Sequence, residues 1–181
     1  MTQSKPKMRA VVAVFTLLIC AVAMVATAST RNKSAGNKSA GNKDESTKQE
    51  INKTFDDYVT GWRTGNVEML SKIYANDARV SAYWPDPSRP GLLEGWPKIS
   101  KNLKDIFERL HEISPYGMDL DFNDRIIDLY GDTAVLTTSW VWKHPADPAF
   151  GTGRGTFIFQ RRGSKWVIVH EHSSVTPFDS K

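Results

Sequence analysis

The chain has 181 residues, and its 24 basic and 20 acidic residues give a formal net charge of +4. Seven of the basic residues precede Asp44, which is the first acidic residue. Residues 44–181 therefore carry 17 basic and 20 acidic residues, a net charge of −3. A mildly acidic domain lacks the basic face of a nucleic-acid-binding protein, so no nucleic-acid partner is expected. The single cysteine, Cys20, lies in an apolar N-terminal run, so no disulfide can form within the chain.

Residues 1–28 are typical of a secretory signal peptide. Basic residues before position 10 precede an apolar run over 10–25, and a small-x-small motif ends at Ala28. The run is shorter than the roughly 20 residues of a membrane helix, so we predict cleavage after Ala28. An uncleaved anchor is the alternative, and only then is membrane contact expected. A mature chain without cysteine favours a periplasmic or secreted protein of a bacterial envelope.

Residues 29–46 are predicted to be a flexible linker, because Asn-Lys-Ser-Ala-Gly occurs twice and no apolar side chain exceeds alanine. A single domain is predicted over 47–177, followed by a short tail over 178–181.

The first half of this domain has the periodicity of three amphipathic helices. The first carries an apolar stripe from Ile51 to Trp62 and ends at Gly65. Asn66 can cap a short second helix, and Pro97 suits the start of a third. A short strand over 78–83 and a proline-rich loop over 84–95 are predicted between the second helix and the third.

After Pro115 the apolar residues alternate with polar ones, which is typical of strands. Gly131-Asp132 is a hairpin turn signal between two such runs. Residues 144–153, with two prolines and two glycines, are predicted to be a loop. Two long strands follow and meet at Arg162-Gly163-Ser164. This order predicts an α+β fold with helices packed on one face of an antiparallel sheet.

Three segments, 58–66, 70–78 and 153–174, carry a family resemblance. Together with the element order over 47–176, they resemble the nuclear transport factor 2-like superfamily. The strands at the end of the chain are similar to its SnoaL-like domains, a group that includes ketosteroid isomerase-like proteins and the kinase II association domain. The resemblance implies a cone-shaped, cystatin-like fold in which three N-terminal helices pack on a curved antiparallel sheet around a pocket. It also implies a homodimer, since members commonly pair sheet to sheet.

The catalytic residues of ketosteroid isomerases are only partly matched. Their oxyanion-holding tyrosine corresponds to Tyr58. Their aspartate base falls near Ala82, and their second, protonated aspartate falls near 152–154, where no acid is present. Steroid isomerisation is therefore not expected.

The last two strands supply polar candidates for the pocket. Arg154 shares strand parity with Thr156, and an inward guanidinium could clamp a carboxylate; the alternative is a surface arginine. His170 and His172 share one face with Trp166, provided that no β-bulge swaps the parity. They are candidates for a general base with Tyr58, or they stabilise the sheet. No third ligand is placed beside them, so neither a metal nor a cofactor is assigned.

Aromatic residues are candidates for the walls of the pocket. Tyr58, Trp62 and Tyr74 lie on the helical side, and Tyr83 and Trp140 lie on strands. The alternative for these rings is an ordinary aromatic core. Trp140 and Trp142 share a face and could instead form a dimer surface.

These residues favour a pocket that binds a small, partly apolar anion, with Arg154 as its clamp. One alternative is a cofactor-independent isomerase, cyclase or dehydratase that uses a histidine base and Tyr58. The other is an assembly module without a ligand.

Overall fold

The computed structural model describes residues 33–77, 79–84, 91–113, 118–144 and 147–176. The predicted signal peptide over 1–28, most of the proline-rich loop and the tail over 178–181 lie outside the described residues. The described elements, in chain order, are α1 (Lys33–Arg63), α2 (Val67–Ser71), β1 (Ser81–Tyr83), β2 (Leu93–Glu94), α3 (Trp96–Ile113), β3 (Asp119–Tyr130), β4 (Thr133–His144), β5 (Asp147–Arg162) and β6 (Lys165–Val175). None of these helices is long and apolar enough to cross a membrane.

Helix α1 begins earlier than the sequence predicts. It runs over Lys33–Arg63 and so includes most of the predicted linker. Residues 41–46 are exposed, and burial begins at Thr47. Extending an existing helix adds one hydrogen bond for each residue that is fixed, so a polar segment can continue a helix nucleated by a packed segment. The prediction of a flexible linker over 29–46 considered core burial alone and not the extension of a packed helix.

The strands form one six-stranded sheet in the order β2-β1-β6-β5-β4-β3. Strand β1 pairs parallel with β6, and the other neighbours pair antiparallel. Gly131 and Gly163 take positive φ in the two tight turns of this meander, as their turn signals predict. Helices packed on one face of this curved sheet give the predicted α+β fold.

The predicted loop over 144–153 is wrong. Strand β4 continues to His144, and β5 starts at Asp147. The glycines of this segment serve close packing against a ring: a Cβ atom at Gly153 would overlap the indole of Trp140 and the carbonyl oxygen of Ser174. Sequence patterns alone do not distinguish such a glycine from one that makes a turn.

Strand β6 contains a β-bulge that decides which of its side chains face the helices. Phe159 pairs with Ile168 and Ile158 pairs with His170, so Val169 is an extra residue without a pairing partner in β5. Trp166 and Ile168 are buried on the inner face before the bulge. Beyond it the buried residues are Glu171 and Ser173. The inner face of β6 therefore carries even-numbered residues before the bulge and odd-numbered residues after it.

Candidate functional site

A cavity of about 550 Å³ lies between α1, α3 and the inner face of the sheet. Its walls are mainly aromatic and aliphatic, being lined by Tyr58, Trp62, Trp84, Ile106, Leu110, Met118, Leu120, Phe122, Trp140 and Trp142. The polar lining residues are Ser173, Glu171 and, on α3, the exposed Arg109 and Glu112. A mostly apolar cavity with few polar groups is the usual form of a small-molecule site.

The carboxyl group of Glu171 is the buried polar centre of this cavity. Its residue is only 1% exposed. Its Oε1 accepts hydrogen bonds from the Tyr58 hydroxyl at 2.8 Å, Trp84 Nε1 at 2.6 Å and the Ser173 hydroxyl at 3.4 Å. Its Oε2 accepts one from the Tyr74 hydroxyl. All four donors are neutral groups, so hydrogen bonds rather than an ion pair hold this carboxyl in place.

Three separate elements bring these donors to β6. Tyr58 lies on the buried stripe of α1. Tyr74 follows α2, where its backbone forms an isolated parallel bridge to Ile168; the Ala75 amide donates to the Ile168 carbonyl at 2.8 Å. Trp84 follows β1, whose parallel pairing with β6 places Tyr83 opposite His172. The site therefore depends on long-range pairing with β6, which no local pattern specifies.

Burial determines the protonation of this cluster. It raises the pKa of the Glu171 carboxyl above its ordinary value, and the hydrogen bonds from Tyr74, Tyr58, Trp84 and Ser173 oppose the shift. Burial, followed by the charge on Glu171, raises the pKa values of Tyr58 and Tyr74 well above 10.0. Both phenols therefore stay protonated and remain donors at any physiological pH.

The structure brings several predicted site residues together. Tyr58, Trp62 and Trp140 line the cavity, and Tyr74 is buried against the carboxyl of Glu171. The Tyr58 ring packs edge-on to that of Tyr74, with centroids 6.1 Å apart. Trp140 and Trp142 both line the cavity, so the expectation that they form a dimer surface is not supported.

Four predicted site residues neither line the cavity nor donate to Glu171. Arg154 is exposed, since Gly153 and Gly155 occupy the buried positions on either side of it in β5. His170 is half-buried, with Nδ1 2.8 Å from the Ser81 hydroxyl, and burial lowers its pKa. His172 is exposed and packs against the ring of Tyr83, itself 40% exposed, at 5.2 Å. The histidines were assigned to the inner face by regular alternation, and the bulge at Val169 reverses that assignment.

Sequence reasoning missed Glu171, Trp84 and Ser173. The one available signal was an acidic residue in the middle of a long strand, and it indicates a buried carboxyl only if a bulge is assumed. The resemblance to ketosteroid isomerases did not help, because it led to the position of Ala82 on β1, which is fully buried. Within the described ranges, no group of three or more histidine, cysteine or acidic residues is placed to hold a metal ion.

The fold and its cavity define a protein of the nuclear transport factor 2-like superfamily. The family model of the SnoaL-like domain matches residues 51–178, which is most of the chain. The chain therefore belongs to the SnoaL-like domain family.

Solved structures with the same fold come from several bacteria. A nuclear transport factor 2-like superfamily protein from Salmonella enterica is 20% identical, with a TM-score of 0.59 over 76% of this chain and 98% of that one. A candidate dehydratase of the same family from Streptomyces avermitilis is 16% identical, with a TM-score of 0.62 over 74% and 98%. An uncharacterised Caulobacter vibrioides protein with a cystatin-like fold is 14% identical, with a TM-score of 0.58 over 73% and 91%. At these identities the likeness shows the fold alone, and no curated protein matches the chain.

Proposed function

We propose that the domain binds a small, largely apolar molecule in the cavity, with one polar group of that molecule at Glu171. The observation that carries this proposal is a single buried carboxyl within mainly aromatic and aliphatic walls. Burying a carboxyl is costly, and the four neutral donors to the oxygens of Glu171 offset only part of that cost. A ligand that contacts this group and also covers the aromatic walls would offset that cost.

The position of Arg154 does not support the anionic ligand expected from the sequence. Its side chain is exposed on the other face of the sheet, so it cannot clamp a carboxylate inside the cavity. The partners of the buried carboxyl all donate to it, so a hydrogen-bond donor on the ligand matches this group. The indole N–H groups of Trp62 and Trp140, which also line the cavity, are buried without a hydrogen-bond partner among the described residues and match an acceptor.

Thermal-shift screening of neutral, cationic and anionic aromatic fragments tests this proposal. We expect hits that stabilise the wild-type protein and quench its tryptophan fluorescence, since Trp62, Trp84 and Trp140 line the cavity. Glu171→Gln should weaken these hits, whereas Arg154→Ala, on the opposite face, should not. Hits that are equally strong in Glu171→Gln, or that are lost in Arg154→Ala, would place the ligand elsewhere and contradict the proposal.

Proton-transfer catalysis is the second candidate function. Burial raises the pKa of Glu171 toward neutral pH, where a carboxyl is more effective as a general acid or base. Glu171 then takes the role that the sequence assigned to a histidine, and Tyr58, whose hydroxyl donates to Glu171 in this structure, would turn that single donor to the substrate. A cofactor-independent isomerase, cyclase or dehydratase needs these two parts.

Deuterium exchange at the α-carbon of aryl ketones, followed by mass spectrometry, tests this candidate without a known substrate. Wild type and His172→Ala should catalyse the exchange, and Glu171→Gln should not. Exchange that Glu171→Gln retains would contradict this role for the carboxyl.

The assembly-module alternative has less support, because the cone encloses a cavity and the tryptophans lie inside it or in the core. Export through residues 1–28 to the periplasm or the medium remains part of the proposal. It is tested by N-terminal sequencing of the mature protein, which should begin at Ser29.

A further inference from the structure

We propose that the ligand of this cavity is an organic cation, in which an ammonium or quaternary ammonium group is attached to an apolar body. This inference rests on the proposed function and names the charge class of the molecule. The inference follows from the charge of Glu171, the lone pairs of its carboxylate and the aromatic rings that line the same cavity.

The first argument is charge. Glu171 is almost fully buried, and the ion pairs among the described residues do not include it. Its four donors bring hydrogen bonds but no formal positive charge. A buried carboxylate without a cation is costly even when its oxygens are bonded. A cationic ligand would supply the missing charge.

The second argument is the lone pairs of the carboxylate, which offers about four acceptor sites over its two oxygens. Three donors converge on Oε1, but only the Tyr74 hydroxyl bonds to Oε2. Oε2 therefore retains one acceptor site; Glu171 lines the cavity, although Tyr74, the partner of Oε2, does not. A protonated amine can donate to Oε2, and a quaternary ammonium can approach it as a charge.

The third argument is the aromatic surface around the carboxyl. The rings of Tyr58, Trp62, Trp84, Trp140 and Phe122 line the same cavity as Glu171. Trp62 packs edge-to-face on Trp84, with centroids 5.6 Å apart, so these two rings present surfaces at a steep angle to each other. Aromatic faces attract cations, and tryptophan attracts them most strongly. Aromatic rings and an acid in one cavity attract an ammonium group more strongly than they attract a neutral apolar body of the same size.

Binding of a cation should also depend on pH. The titratable or charged groups around Glu171 are Tyr58 from α1, Tyr74 after α2, and Arg109 and Glu112 from α3. The two tyrosines stay protonated. Because burial raises the pKa of Glu171, a cation that favours the carboxylate should bind more tightly as the pH rises through that pKa. Below it, binding should release a proton.

Three probes of similar size separate the charge classes. Benzyltrimethylammonium is the cation, neopentylbenzene is its neutral isostere, and phenylacetate is an anion. Titrated into the purified protein and followed by tryptophan fluorescence, the cation should bind about tenfold or more tightly than the isostere, and phenylacetate more weakly than both.

Variants then test the source of this preference. Glu171→Gln should reduce the ratio of cation to isostere affinity toward one, because the charge is lost while the size is kept. Trp62→Leu, which leaves the carboxyl intact, should weaken the cation more than the isostere. Both affinities in the ratio are measured on the same variant. A general loss of stability would weaken both ligands alike and would not change the ratio. Arg154→Ala should leave the ratio unchanged.

The outcomes for this inference and for the proposed function are distinct. If neopentylbenzene or phenylacetate binds as tightly as the cation, or if none of the three binds, the ligand is not an organic cation and the inference is wrong. The proposal of a ligand site at Glu171 is overturned separately, by fragment hits that do not respond to Glu171→Gln.

Discussion

At the scale of single residues, the buried carboxyl of Glu171 has a measurable effect on stability. Its pKa is raised in the folded protein, so the folded state holds this proton more tightly than the unfolded chain, in which a glutamate titrates near pH 4.3. The contribution of Glu171 to the free energy of unfolding is therefore fully present below the unfolded pKa. It declines as the pH rises through the folded pKa.

We predict that the unfolding free energy of wild type minus that of Glu171→Gln falls between about pH 4 and the folded pKa of Glu171. Urea denaturation of both proteins across pH 3.5–8 measures this difference. The half-buried acids Asp77 and Asp121, whose pKa values are lowered by neighbouring donors and cations, are present in both proteins, so their contributions cancel in the difference. A difference that does not vary with pH would show that Glu171 titrates as in the unfolded chain.

At the scale of elements, the sequence predicts those parts of the fold that have a regular period. The apolar stripe from Ile51 to Trp62 identifies α1, and the glycines at 131 and 163 identify two hairpins. The polar end of the cavity was missed because it depends on the extra residue at Val169, which reverses the face of β6. Tyr58 was found, since a helix stripe and a family resemblance both lead to it. Trp84 was not, because only the pairing of β1 with β6 places it.

The start of β5 gives a second prediction at this scale. Replacing Gly153 with alanine should cost about 1–3 kcal/mol or more, because the new methyl group would overlap the Trp140 ring and the Ser174 carbonyl. Thermal or urea unfolding measures the loss. Thr152→Ala, one residue earlier and half-buried, is the control and should cost less. Equal effects in the two variants would mean that Trp140 does not pack on this glycine.

The early part of α1 gives a third prediction, also at the scale of elements. Nothing lies within 4 Å of a Cβ atom added at Gly41, which is inside the helix and exposed. Gly41→Ala should therefore raise the helical circular dichroism signal at 222 nm and stabilise the helix by up to about 1 kcal/mol. An unchanged signal would favour the flexible linker that the sequence predicted over 29–46.

At the scale of the whole molecule, the sheet has one face toward the helices and one toward solvent. The solvent face of the central strands carries half-buried branched residues, among them Val135, Ile158 and Val167. The homodimer implied by the family resemblance would use this face. Trp140 and Trp142, which the sequence also offers as a dimer surface, line the cavity instead.

We predict that the purified protein is a dimer by multi-angle light scattering, and that Ile158→Lys converts it to a monomer. A lysine at the centre of an apolar interface would be buried without a partner. Lys165→Glu, at the exposed end of β6, is the control and should remain a dimer. A monomeric wild-type protein would contradict the prediction.

Two chemically different sets of side chains alternate along the second half of β6: a carboxyl and a hydroxyl on one side, two imidazoles on the other. If the extra residue were accommodated beyond Ser173 rather than at Val169, the imidazoles would face the helices. The cavity would then end in a pair of imidazoles instead of an acid. The hydrogen-bond ladder between β5 and β6 thus selects which of two possible pockets this one stretch of sequence builds.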